Sequence, residues 1–208
     1  MTGIAVLDYG MGNLRSVQRA LERVGARPEV TSDPDGALGA DAIVVPGVGA
    51  FGACMRGLVS TGLDRVVTEF ARGGRPVLGV CLGLQVLFEG SEEDPDAGLG
   101  LIPGKIRRLE AGDGLKVPHM GWNEVRWVAE HPLTRGIPTG TLFYFVHSFA
   151  PEPSPGTTAG ETEHGSVFAS AVASGSMFAT QFHPEKSGEP GLQLYENFVR
   201  GVRGGSSP

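Results

Sequence analysis

The run Pro76-Val77-Leu78-Gly79-Val80-Cys81-Leu82-Gly83-Leu84-Gln85 constrains this 208-residue chain more than any other stretch. It reads as a buried apolar strand ending in a cysteine, with a glycine two positions before it, another two after it, and a helix-like stretch beginning at once. That is the layout of a nucleophile elbow. A strand-to-helix turn so sharp crowds the backbone, so the flanking positions must be nearly free of side chain, and Gly79 and Gly83 meet that demand. The thiol of Cys81 then stands above a sheet at the start of a helix. There, unpaired backbone N–H groups can hold an oxyanion and the local positive potential favours the thiolate. Taken alone, the decapeptide is also compatible with a small buried hydrophobe, the usual state of a free cysteine.

An elbow of this kind needs a parallel sheet around it, and the first half of the chain has the matching pattern. Short apolar runs alternate with amphipathic stretches and glycine-rich turns, as in βαβ units. Strands are expected at 4–7, at 42–45 and in the run ending at Cys81. Helices are expected at 58–71 and at 14–24, where Leu14, Val17, Leu21 and Val24 share one face and Gly25 is a stop. From Gly104 onward the segments shorten. They include a strand at 141–146 and a hairpin pairing 166–172 with 177–182 across Ala173-Ser174-Gly175-Ser176. A closing helix is expected at 192–199, loops at 89–98 and 151–163, and one domain over 1–200 with a frayed, disordered tail at 201–208.

Composition excludes several partners. Seventeen basic against 23 acidic residues give a formal net charge of -6, which argues against nucleic acid, and 40% hydrophobic residues suffice for a real core. Cys54 and Cys81 do not make a disulfide framework, and no Cys/His cluster has zinc spacing. The N-terminal apolar stretch lacks a basic flank and is too short for a signal peptide, and no segment reaches membrane-spanning length. A soluble chain in a reducing cytoplasm is the expectation.

A cysteine nucleophile needs a base and a group to orient it. His183 follows the expected strand 177–182 and precedes Pro184-Glu185, so in an extended backbone the side chains of His183 and Glu185 project to the same face. Glu185 can then fix the imidazole tautomer while His183 takes the thiol proton and returns it to the leaving group. His-Pro-Glu by itself is also an ordinary strand end with a solvated carboxylate; together with the elbow it reads as base and orienter.

Gly-Val-Cys-Leu-Gly-Leu-Gln at 79–85 with Gln-Phe-His-Pro-Glu at 181–185 resembles the class I (triad) glutamine amidotransferases, over essentially residues 1 to 200. The resemblance implies an α/β fold, flavodoxin-like, with a mostly parallel central sheet and helices on both faces. It implies hydrolysis of L-glutamine to glutamate and ammonia by a Cys81-His183-Glu185 triad, with no metal and no organic cofactor. Asp-Tyr-Gly-Met-Gly-Asn-Leu-Arg-Ser-Val at 8–17, Val-Pro-His-Met-Gly-Trp-Asn at 117–123, Tyr-Phe-Val-His-Ser-Phe at 144–149 and Gly-Leu-Gly-Leu-Ile-Pro-Gly at 98–104 are similar to the members that serve histidine biosynthesis. Those hand ammonia to a cyclase built as a (β/α)₈ barrel. Two alternatives stay open. Another class I glutaminase subunit, such as that of pyridoxal phosphate synthase, would share the triad but should lack the 8–17 and 117–123 stretches, and a non-catalytic regulatory subunit would share the fold.

The resemblance also carries residue roles. The oxyanion hole falls to the Leu82 N–H and to Val48 and Gly49 of the loop Pro46-Gly47-Val48-Gly49, a segment that alone reads as a tight βα turn. Gly49, Gln85 and the backbone of His147, Ser148 and Phe149 correspond to the glutamine pocket; members more often have tyrosine at position 149, so Phe149 lacks a hydroxyl. Asn13, Trp122 and Lys186 correspond to the face toward the cyclase. Ammonia is mostly protonated in neutral water, so a closed passage is required and a large aromatic such as Trp122 suits its rim, although core burial suits a tryptophan equally. Cys54, His119 and His147 are read as packed residues.

Overall fold

Along β1 (Gly3–Leu7) the side chains alternate between two cores, Ile4 and Val6 facing one and Ala5 and Leu7 the other. A strand buried on both faces must be apolar at every position, so its sequence is a continuous hydrophobic run. The computed structural model describes residues 3–110 and 114–205. In chain order, β1 is followed by α1 (Leu14–Arg23), β2 (Arg27–Thr31), α2 (Pro34–Leu38) and β3 (Ala42–Gly47). Next come α3 (Phe51–Thr61), α4 (Leu63–Arg72), β4 (Val77–Cys81), α5 (Leu82–Gln85), β5 (Gly90–Ser91), β6 (Asp94–Ala97) and β7 (Lys105–Arg108). The chain ends with β8 (His119–Trp127), β9 (Thr141–His147), β10 (Phe149–Pro151), β11 (Thr158–His164), β12 (Ser166–Ser174), β13 (Met177–Thr180) and α6 (Gly188–Arg203).

The main sheet has the order β2-β1-β3-β4-β13-β12-β11-β8-β9. From β2 to β13 every pairing is parallel, which gives the flavodoxin-type order, and from β13 to β9 every pairing is antiparallel. α1 and α6 cover one face, where Val17, Leu21, Tyr195 and Phe198 meet Val44, Phe143 and Phe182. α3 and α4 cover the other, where Phe51, Leu58, Val67 and Phe70 meet Ile43 and Val45. A second, small sheet ordered β10-β7-β5-β6 stands beside α3.

Several expected elements differ. The helix expected at 58–71 is two helices, α3 beginning at Phe51 and α4 ending at Arg72, because Gly62 adopts φ +75° and ends the first before Leu63 starts the second. The stretches expected as loops at 89–98 and 151–163 contain β5, β6 and most of β11. The hairpin turn is tighter than the four residues expected, since Ser174 pairs directly with Met177 across Gly175-Ser176. The closing helix is longer at both ends and runs to Arg203, whose guanidinium bonds the Gly25 carbonyl, so residues 201–203 of the expected tail are helical; 206–208 lie outside the described residues.

Candidate active site

Three parallel strands end at one place. β4 stops at Cys81, β3 stops at Gly47 just before Val48 and Gly49, and β13 leads into Gln181, Phe182 and His183. The carboxyl ends of parallel strands are where open α/β sheets hold ligands. Cys81 adopts φ 55° and ψ -109° and is the one non-glycine residue with positive φ among the described residues. Such a conformation persists only where packing imposes it. Here it does: a Cβ on Gly83 would lie 1.7 Å from the Val45 carbonyl oxygen, and one on Gly79 would lie 2.6 Å from the Gly83 oxygen and 2.9 Å from Ala179 Cβ. The helix after the elbow is short: α5 spans Leu82–Gln85, and Leu82, as its first residue, has no intrahelical acceptor for its N–H.

His183 and Glu185 meet with Nδ1 and Oε1 2.8 Å apart, their side chains 2% and 1% exposed. They meet across a 3₁₀ turn at Pro184–Lys186 and not along the extended backbone expected from the spacing. That turn is tied to β9: the His183 N–H donates to the Tyr144 oxygen, and Ser187 Oγ donates to the His183 carbonyl while accepting from the Tyr144 N–H. Gly191 allows α6 to close on it, since a Cβ there would lie 1.9 Å from the Pro184 oxygen. Burial alone would lower the His183 pKa. Hydrogen bonding and charge from Cys81 and Glu185 outweigh it and raise the value to about 10, so the imidazole is held protonated beside the sulfur. Its Nε2 has no partner that satisfies hydrogen-bond geometry, which leaves that nitrogen open to the cavity it lines.

The cavity has a volume of about 280 Å³ and is walled by Cys81, Leu82, Gln85, Val48, Gly49 and His183, with the 146–149 segment opposite. A larger and shallower hollow of about 680 Å³ beside Trp127 and His131 contains no cysteine. Gln85 Nε2 donates to the Phe149 carbonyl at 2.9 Å and to Gln181 Oε1 at 3.0 Å, and Gln181 Nε2 donates to Cys81 Sγ at 3.6 Å. The 46–49 loop is pinned from behind: the buried Tyr9 hydroxyl donates to the Pro46 oxygen, and Cys54 Sγ lies 3.8 Å from the Val48 oxygen. In a trans peptide the N–H lies opposite the carbonyl, so the Gly49 N–H is turned away from Cys54. Burial, joined by the charges of Cys81 and Glu93 and opposed by the Tyr9 hydrogen bond, pushes the Cys54 thiol up to about 12, which keeps it a neutral packed group.

His147 and His119 are packed as expected, and neither titrates near neutrality. Burial first, then neighbouring imidazoles, lowers His147 to about 3 and His119 to about 4; a hydrogen bond to the Phe149 oxygen partly offsets the shift at His147. Three residues of the site escaped the sequence reading. Glu93 lines the cavity and accepts the Phe51 N–H at 2.9 Å, but it fell in a stretch read as loop. Tyr9 and Gln181 sat inside quoted motifs, where nothing in residue type announced their contacts. Of the residues expected at a partner face, Trp122 is 55% exposed on β8 and pairs with Tyr144 of β9, over whose ring Lys186 Nζ lies 5.6 Å from the centroid. Core burial of Trp122 is thereby excluded. Asn13 is half-buried at the start of α1, the helix that packs against the 184–186 turn.

Residues 5–202 match the family described as glutamine amidotransferase class-I. The imidazole glycerol phosphate synthase subunit HisH of Moorella thermoacetica is 51% identical over 98% of this chain and 97% of its own length. The subunit of the same name from Nitrosomonas europaea is 50% identical over 96% and 99%. Among solved structures, a glutamine amidotransferase superposes with a TM-score of 0.75, covering 96% of this chain and 98% of that one. PurLQS from Thermotoga maritima gives 0.72 with the same coverage. Both are 20% identical and speak to the fold alone. No helix among the described residues is long and apolar enough to cross a membrane.

Proposed function

The chain belongs to the class I glutamine amidotransferase family, and on that premise we propose that it is the glutaminase subunit of imidazole glycerol phosphate synthase. It hydrolyses L-glutamine to glutamate and ammonia and delivers the ammonia to a cyclase subunit in histidine biosynthesis. The near-full-length identity to the curated subunits supports this reading, and one observation carries the chemistry. An imidazole, held by a buried carboxylate, shares a 280 Å³ cavity with a cysteine on a strained elbow. Cys81 attacks the side-chain carboxamide as thiolate. The developing oxyanion is received by the N–H groups of Leu82 and of the Val48-Gly49 segment. His183 gives its proton to the departing ammonia; water, deprotonated by the same imidazole, then cleaves the thioester and releases glutamate. Glu185 keeps the ring oriented. Gln85, Gly49 and the 147–149 backbone hold the substrate, and Glu93 supplies a negative charge suited to its α-ammonium group. The cyclase is a (β/α)₈ barrel that docks over Asn13, Trp122 and Lys186, and the setting is cytoplasmic.

The test is glutamate release by the chain with and without the cyclase subunit and its ligand. Cys81→Ala is expected to abolish release, whereas Cys54→Ala stays within about threefold, because its thiol is a packed neutral group. Equal losses for the two variants would defeat the nucleophile assignment, and no release from the wild-type complex would favour a regulatory subunit.

A further inference from the structure

Gln181 is 0% exposed, and the reaction as described gives its carboxamide no task. Burying an amide strips water from two donors and an acceptor, a cost that an apolar side chain of the same length avoids. Its orientation is set from two residues away. The Phe149 carbonyl oxygen can only accept, so the Gln85 atom facing it at 2.9 Å is Nε2. That same Nε2 lies 3.0 Å from Gln181, whose atom there must be the acceptor Oε1. The opposite end, Nε2, is thereby directed at Cys81 Sγ, 3.6 Å away. His147 Nδ1, donating to the same Phe149 oxygen at 3.0 Å, holds the start of this series in place. Polarity runs one way from a backbone carbonyl through two amides to the sulfur, and what reaches the sulfur is always a donor. A donor without acceptor capacity stabilises a thiolate more than a thiol, whose own S–H would go unanswered.

We propose that Gln181 is a positioning residue of the glutaminase reaction, its Nε2–H group holding the Cys81 sulfur in the acceptor state and aimed into the cavity. The proposal rests on Cys81 being the nucleophile. Gln181 and His183, two residues apart, then address one sulfur from the same segment, the first by orientation and the second by proton transfer.

The experiment follows the rate of Cys81 alkylation by iodoacetamide against pH, in full-length chain carrying Cys54→Ala so that a single thiol reacts. It is paired with kcat and KM for glutamine in the complex with the cyclase subunit. Gln181→Met keeps length and removes the donor; Gln181→Glu keeps shape and the acceptor toward Gln85 but sets an anionic oxygen against the sulfur. The alkylation profile should move to higher pH by about one unit in the first, equivalent to about tenfold less thiolate, and further in the second. kcat should fall about tenfold or more while KM stays within about threefold. Profiles that superimpose on the parent, or a raised KM at unchanged kcat, would overturn the proposal. Gln85→Met leaves Gln181 in place but frees its amide to rotate; a smaller shift of the same sign supports the proposal and none overturns it, which decides the matter should neither position-181 variant fold. Cys81→Ala separates the two readings: retained hydrolysis there would remove the nucleophile, whatever the Gln181 variants do.

Discussion

At the scale of single residues, the site depends on atoms that are absent as much as on those present. The elbow at Cys81 forms because β4, α5 and β3 approach so closely that Gly83 abuts the Val45 backbone, and a carbonyl oxygen in a sheet ladder cannot step aside. Gly83→Ala is therefore expected to lower stability by about 3 kcal/mol, the upper end for overpacking, and to abolish glutamate release. A urea midpoint within error of wild type would show that the backbone accommodates the methyl. The need for Gly79 and Gly83 was legible in the sequence, because a residue type that lacks Cβ reports steric demand directly. The tasks of Gln181 and Glu93 were not. A glutamine or glutamate has the same letter whether solvated or buried, and what distinguishes these two is the company brought by α5 and α3, dozens of residues away.

Elements were legible where they bury both faces. β1, β3 and β4 are continuous apolar runs since each feeds two cores, and hydrophobicity alone marks them. β6, with sequence Asp-Pro-Asp-Ala, and β11, with Thr-Ala-Gly-Glu-Thr-Glu-His, are polar strands whose identity comes from partners and not from period, so they read as loops. The β8–β9 ribbon adds a testable property. It carries His119 and His147, buried with Nδ1 and Nε2 3.0 Å apart, and burial lowers them to about 4 and 3. In the unfolded chain an imidazole takes up its proton near pH 6.5. Between that pH and about 3 the unfolded state binds more protons than the folded one, so acidification destabilises the fold. The melting temperature should fall as pH is lowered from 7 to 4.5, and His147→Gln should gain on wild type across that interval since one such site is gone. A constant difference between the two would remove His147 from the account.

At the scale of the molecule, the antiparallel extension connects the cavity with an exposed face. Val146 and His147 line the cavity, and one and two steps along the same strand pair Phe145 and Tyr144 lead to Trp122. Alternation sends Phe143, Phe145 and His147 inward and Leu142, Tyr144 and Val146 outward, so the ribbon is apolar toward the core while Met120, Trp122 and Leu142 stand exposed. An aromatic that contributes little to the core and sits beside Tyr144 and Lys186 has the character of an interface anchor. Trp122→Ala should accordingly leave the melting temperature of the isolated chain unchanged and weaken association with the cyclase subunit about 30-fold, the equivalent of about 2 kcal/mol. Titration calorimetry on the purified subunits measures it. The opposite pattern, an unstable chain that binds normally, would make Trp122 part of the fold, and the cyclase would have to dock elsewhere.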